Sequence, residues 1–133
     1  MEYLAVDNLL PEFNIFQTFV TDTALSALQL DGLHNSHPID VPVHHPNDIE
    51  EIFDTISYEK GSSIIRMLYD YIGNDAFQAG MNLYLNKYAY ANAVTDQLWE
   101  SLEEASQKPV GSMMNTWTKQ KGYPGNNYSY QYL

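Results

Sequence analysis

Four histidines, His34, His37, His44 and His45, are the side chains here best suited to hold a metal or move a proton. A hydrolytic zinc centre needs two imidazoles one helical turn apart, with a carboxylate between them to deprotonate the bound water. His34 and His37 are three apart, but Pro38 and the loop-like composition around them argue against a helix. His44 and His45 are adjacent, so on a regular element they point apart. No glutamate-flanked pair exists, and the histidines read as exposed or locally hydrogen-bonded loop residues. With no cysteine, disulfides, thiolate metal sites and a thiol nucleophile are excluded. Phenols remain: a tyrosine hydroxyl can stabilise an oxyanion, but residue type alone singles out none of the eleven.

The elements that would position such groups are read from apolar spacing, which is mostly helical. Leu4, Leu9 and Leu10, with Tyr3 and Val6 between, suggest a helix that Pro11 interrupts. Phe16, Phe19, Val20, Ala24, Ala27 and Leu28 recur at three and four, predicting a helix over residues 13–30 with one buried face. Gly32, Pro38, Pro42 and Pro46 then break the period, giving a long loop. Alternation of Ile39, Val41 and Val43 allows one short strand in it. Asn47 and Asp48 are placed to cap a short turn over 49–54. A long helix follows over 58–72, with Ile64, Ile65, Leu68, Tyr71 and Ile72 inward and Gly73 as a left-handed cap. The next puts Phe77, Met81, Tyr84, Leu85 and Tyr88 inward. Another is capped by Thr95 and carries Leu98, Trp99 and Leu102. The last starts at Pro109, presents Val110, Met113, Met114 and Trp117, and stops by Gly122 and Pro124. The tail, 125–133, has no helical period and reads as frayed or as an orphan strand.

Composition bounds what such a chain can do. Its 133 residues, 44% hydrophobic, suffice for one domain or part of one. A formal net charge of −11 with six basic residues argues against nucleic acid or anionic membrane as a partner. No apolar stretch approaches the roughly 20 residues that span a bilayer. The first residues lack the basic region of a secretory signal, and a cytoplasmic location is expected.

One stretch is not generic. Glu51-Ile52-Phe53-Asp54-Thr55-Ile56-Ser57-Tyr58-Glu59-Lys60-Gly61-Ser62-Ser63-Ile64-Ile65-Arg66-Met67-Leu68 resembles the segment that follows the zinc site in the membrane-alanyl-type zinc aminopeptidases, a gluzincin family, and most of all its puromycin-sensitive branch. Asn35-Ser36-His37-Pro38-Ile39, Leu98-Trp99-Glu100-Ser101-Leu102 and Met114-Asn115-Thr116-Trp117-Thr118-Lys119-Gln120 extend the likeness in family order over residues 1–124. The resemblance implies the all-α, C-terminal helical part of a thermolysin-like catalytic domain, carrying one long loop, with residues 125–133 a divergent tail.

The resemblance also implies roles. Tyr58 matches the family's catalytic tyrosine, whose phenol donates to the oxyanion; the bland alternative is a core or cap aromatic. Phe53 lines the pocket for the substrate's first side chain, against the alternative of a core phenylalanine. Zinc is the parent family's cofactor, but its H-E-x-x-H and G-x-M-E-N motifs are absent, and the third-ligand glutamate falls before the equivalent of Met1. None of these residues is then a metal ligand, and Glu2 is a lone surface glutamate. Gly61 permits close helix packing, while Lys60 and Arg66 pair with nearby carboxylates. Tyr84, Tyr88 and Tyr90 are core and rim. The chain is expected to be a fragment of an enzyme that removes N-terminal residues from peptides, inactive alone. Its partners are then peptide substrate in the full-length parent and the missing zinc-binding half or another chain. A non-catalytic helical module that binds peptide or protein is the alternative; an enzyme completed by a second polypeptide is a third.

Overall fold

Pro11 sets the first break. It excludes Leu10 from helical geometry, so α1 (Glu2–Leu9) ends and a single 3-10 turn, Pro11–Phe13, follows. Asn14 takes a left-handed conformation, φ 48° and ψ 41°, which a short polar side chain tolerates. The computed structural model describes residues 2–123, and the predicted 125–133 tail lies outside them. Helix α2 then runs over residues 15–31, from Ile15–Thr18 through a π-helical turn, Phe19–Ala24, to Leu25–Asp31. Only part of its expected apolar face is covered: Phe19 and Ala27 are buried, while Val20 and Leu28 are exposed.

After the 32–47 loop come α3 (Asp48–Glu51) and α4, which opens with a π-helical turn, Ile56–Lys60, and continues as Gly61–Ile72. α5 (Asn74–Lys87), α6 (Thr95–Ser106) and α7 (Val110–Thr118) complete an architecture with no strand among the described residues. The alternating Ile39, Val41 and Val43 form no strand; the loop instead sends the Asp40 N–H to the Thr118 carbonyl at 2.9 Å, where α7 ends. No described helix is long and apolar enough to cross a membrane.

One core holds α4 to α7 together: Ile64, Leu68 and Ile72 meet Phe77, Trp99, Leu102, Val110 and Met114. The α4 residues recur at four, so one stripe buries against three partners. Tyr71 and Leu85, expected inward, are exposed, because each stripe is narrower than its apolar run. The close helix contact belongs to Gly80, not Gly61. A Cβ on Gly80 would stand 2.8 Å from Leu102 Cδ2, whereas one on Gly61 meets nothing within 4 Å.

Several ends differ from expectation. Gly73 stops α4 at φ 88° and ψ 160°, outside the left-handed helical region and open to essentially glycine alone. Asn47 makes no side-chain cap; Asp48 accepts the His44 and His45 N–H groups at 3.1 and 2.9 Å. Val94, not Thr95, caps α6, its N–H donating to Gln97 Oε1 at 2.9 Å. α7 ends at Thr118, short of Gly122. Tyr90 lies past α5, fully exposed, rather than on a core or rim position.

Candidate functional site

Tyr58 sits midway along the π-helical turn that opens α4. Its neighbours two before and two after, Ile56 and Lys60, are buried at 5% and 1% exposure. Two residues along a helix lie on roughly opposite sides, so burying both turns Tyr58 outward, and its side chain is 63% exposed. The phenol makes no hydrogen bond to another described residue. Phe53, at the α3–α4 junction, is also exposed in this chain. Its ring centroid lies 6.2 Å from that of Tyr58. Together with Ile39, Ile52 and Ser57 the two rings line an open, largely apolar cleft of about 230 Å³.

Asp54 fixes the start of this helix. Its Oδ1 accepts the Ser57 N–H at 2.9 Å and its backbone carbonyl accepts the Tyr58 N–H at 3.1 Å. Its Oδ2 takes a hydrogen bond from His37 Nε2 at 2.6 Å, and His37 Nδ1 donates to the Pro38 carbonyl, also at 2.6 Å. Burial pushes the Asp54 carboxyl up, but the Ser57 N–H and the His37 ring outweigh it and hold it below its ordinary range. The Asp54 hydrogen bond raises His37 against the opposing effect of burial. Thus His37 is not simply a local loop histidine: it ties the 32–47 loop to the helix that bears Tyr58.

Beneath the turn, Lys60 reaches the opposite way. Its Nζ lies 2.9 Å from Asp31 Oδ2 at the end of α2 and donates to the Gly122 carbonyl at 3.0 Å. Asp31 also accepts from the Ser36 hydroxyl at 2.6 Å and the Gly122 N–H at 3.0 Å. Burial raises the Asp31 carboxyl, and these three partners more than reverse it, leaving it below the ordinary value. Arg66 pairs with Asp70 at 3.2 Å and stacks 3.9 Å over Phe16. Both cations are engaged by carboxylates, as expected from the sequence.

Among the described residues no three His, Cys, Asp or Glu side chains converge as a metal site, so the residues present do not fit the zinc that the family resemblance implies. Sequence reasoning overlooked Asp31, Asp54 and the reach of His37. One signal was available: Asp54 stands three residues before Ser57 at the head of an apolar helix, an N-cap pattern.

A peptidase is the class these helices indicate on comparison with known proteins. The Peptidase family M1 domain matches residues 1–117. Aminopeptidase M1-D of Oryza sativa subsp. japonica is 54% identical over 124 residues, which cover 93% of this chain and 14% of that protein. Aminopeptidase M1 of Arabidopsis thaliana is 51% identical and the puromycin-sensitive aminopeptidase of Caenorhabditis elegans 46%, each over 93% of this chain and over 14% and 13% of its own length, respectively. The chain belongs to peptidase family M1, and it spans 13–14% of the length of these relatives.

Proposed function

We propose that this chain is the tyrosine-bearing part of an aminopeptidase centre, with Tyr58 as the oxyanion donor and Phe53 lining the pocket for the substrate's first side chain. The observation that carries the reading is the Tyr58 phenol: exposed, free of a described hydrogen-bond partner, and beside an apolar cleft. When the scissile carbonyl of a peptide is attacked, negative charge develops on its oxygen. A phenol aimed there donates a hydrogen bond that strengthens as the charge grows, worth about 10²–10³ in rate.

The chain supplies neither the electrophile nor the base that would activate water. It is therefore inactive alone, and the zinc-binding remainder of the parent is its partner; zinc belongs to that remainder. Support for such a partner comes from the apolar residues of α1, the turn after it and α2 left in solvent, Leu9, Phe13, Val20, Leu25 and Leu28. The same surface supports the second reading, a non-catalytic module that binds peptide or protein. A cytoplasmic location completes the proposal, supported by the acidic, cysteine-free sequence.

Zinc titration and an aminoacyl reporter assay on the purified chain test this reading. The expected outcome is no stoichiometric zinc and no hydrolysis. One tightly bound metal ion per molecule, with hydrolysis that a chelator abolishes, overturns it.

A further inference from the structure

The cleft has two walls from different parts of the chain. Ile39 comes from the loop, whereas Phe53 and Tyr58 come from the α3–α4 junction and α4. His37 lies two residues before Ile39, and Asp54 directly follows Phe53. The 2.6 Å contact between His37 and Asp54 is thus a joint between the walls.

We propose that His37 is a positioning residue for this cleft, latching the loop that carries Ile39 onto Asp54, the carboxylate that caps the Tyr58 helix. The proposal rests on the catalytic reading of Tyr58 for its functional meaning but not for its physics. Both ring nitrogens face groups that accept: Pro38 offers only a carbonyl, and Asp54 is ionised in its hydrogen-bonded setting. Two donors are needed, and only the imidazolium has two N–H groups. A neutral ring would turn a lone pair toward one of the acceptors and weaken that contact.

Other charges surround the joint. Asp31 of α2 also favours the cationic ring, and Lys60 of α4 meets Asp31 directly. From the segment after α7, Lys121 Nζ donates to the His34 carbonyl at 3.3 Å. Two carboxylates therefore favour the closed latch, with Asp54 in direct contact. The latch is closed below the His37 midpoint and released above it, so the relation of Ile39 to Phe53 and Tyr58 should change with the protonation of one ring.

The test uses the full chain labelled with 4-fluorophenylalanine. The Phe53 fluorine resonance is assigned by Phe53→Leu, and the His37 imidazole resonances by His37→Gln. Expected is a His37 midpoint above the ordinary value of about 6.5, with the Phe53 signal stepping at the same pH. Asp54→Asn should bring both midpoints down to about 6.5 or below, and His37→Gln should remove the Phe53 step. A Phe53 signal that stays flat while His37 titrates overturns the proposal, as does a wild-type His37 midpoint at or below about 6.5. Both overturning outcomes are read on the unsubstituted chain, with Phe53→Leu and His37→Gln serving only to assign its resonances. None depends on catalysis, so this proposal and the role of Tyr58 can fail separately.

Discussion

Lys60 is 1% exposed, and its Nζ is paired with the Asp31 carboxylate and donates to the carbonyls of Gly122 and Gln120. Desolvating both charges is costly, so the pair need not stabilise the fold relative to an apolar pair; removing one partner, however, leaves the other buried and uncompensated. Lys60→Met should lower unfolding free energy by about 3–5 kcal/mol, measured by urea denaturation. Adding Asp31→Asn should recover part of that loss, and an Asp31→Asn addition that deepens it instead would contradict the ion-pair account. That Lys60 seeks a carboxylate was legible from its type and setting. That the partner is Asp31, at the far end of α2, was not, because only folding brings these positions together. The same limit hid the His37–Asp54 joint: local composition marked a loop, and composition does not say what a loop is pinned to.

Within elements, period and breakers carried most of the information. Ile64, Leu68 and Ile72 were legible as the inner stripe of α4 because their spacing leaves them on one side of any helix. Tyr71 and Leu85 were misread because apolar spacing marks a broad face, while the partner helix decides which edge of it is covered. The alternation in the loop was misread as a strand because a strand needs a pairing edge, and none is available among the described residues. The two glycines give a direct check. Gly80→Ala forces a methyl group against the Leu102 side chain at 2.8 Å and its Cα at 2.9 Å. It should destabilise by about 1–3 kcal/mol through overpacking. Gly61 has ordinary helical angles, φ −55° and ψ −49°, and open space around it. Gly61→Ala should therefore stabilise by about 0.5–1 kcal/mol, by reducing the freedom of the unfolded chain and favouring helix. Equal effects of the two substitutions in chemical denaturation would contradict this packing scheme.

For the whole molecule, Asp31, Asp54 and His37 define a pH window. Asp31 and Asp54 are held below the ordinary carboxylate value, so their contributions are complete above about pH 4 and are lost as pH falls through their folded values. His37 is raised, so its contribution is complete below about pH 6.5 and is lost as pH rises through its folded value. The two ranges overlap between about pH 4 and 6.5, where the urea midpoint should be highest; a maximum above pH 8 would contradict the assignment. At this scale the family was legible in the order of its motifs, the mostly helical pattern in the apolar spacing, and the all-α class in what the resemblance implies. The open face of α2 was not, because a periodic stripe looks the same whether or not anything covers it.

The central claim is tested most directly by a chimera. The matching segment of an M1 relative is replaced by residues 1–117 of this chain, and its peptide hydrolysis is compared with and without Tyr58→Phe. The phenyl ring is retained and the site is exposed, so unfolding free energy should move by no more than about 0.5 kcal/mol. The turnover number kcat should fall by about 10²–10³, with a smaller effect on KM because the lost hydrogen bond matters most as charge develops. An active chimera whose kcat is unchanged by Tyr58→Phe would contradict the account.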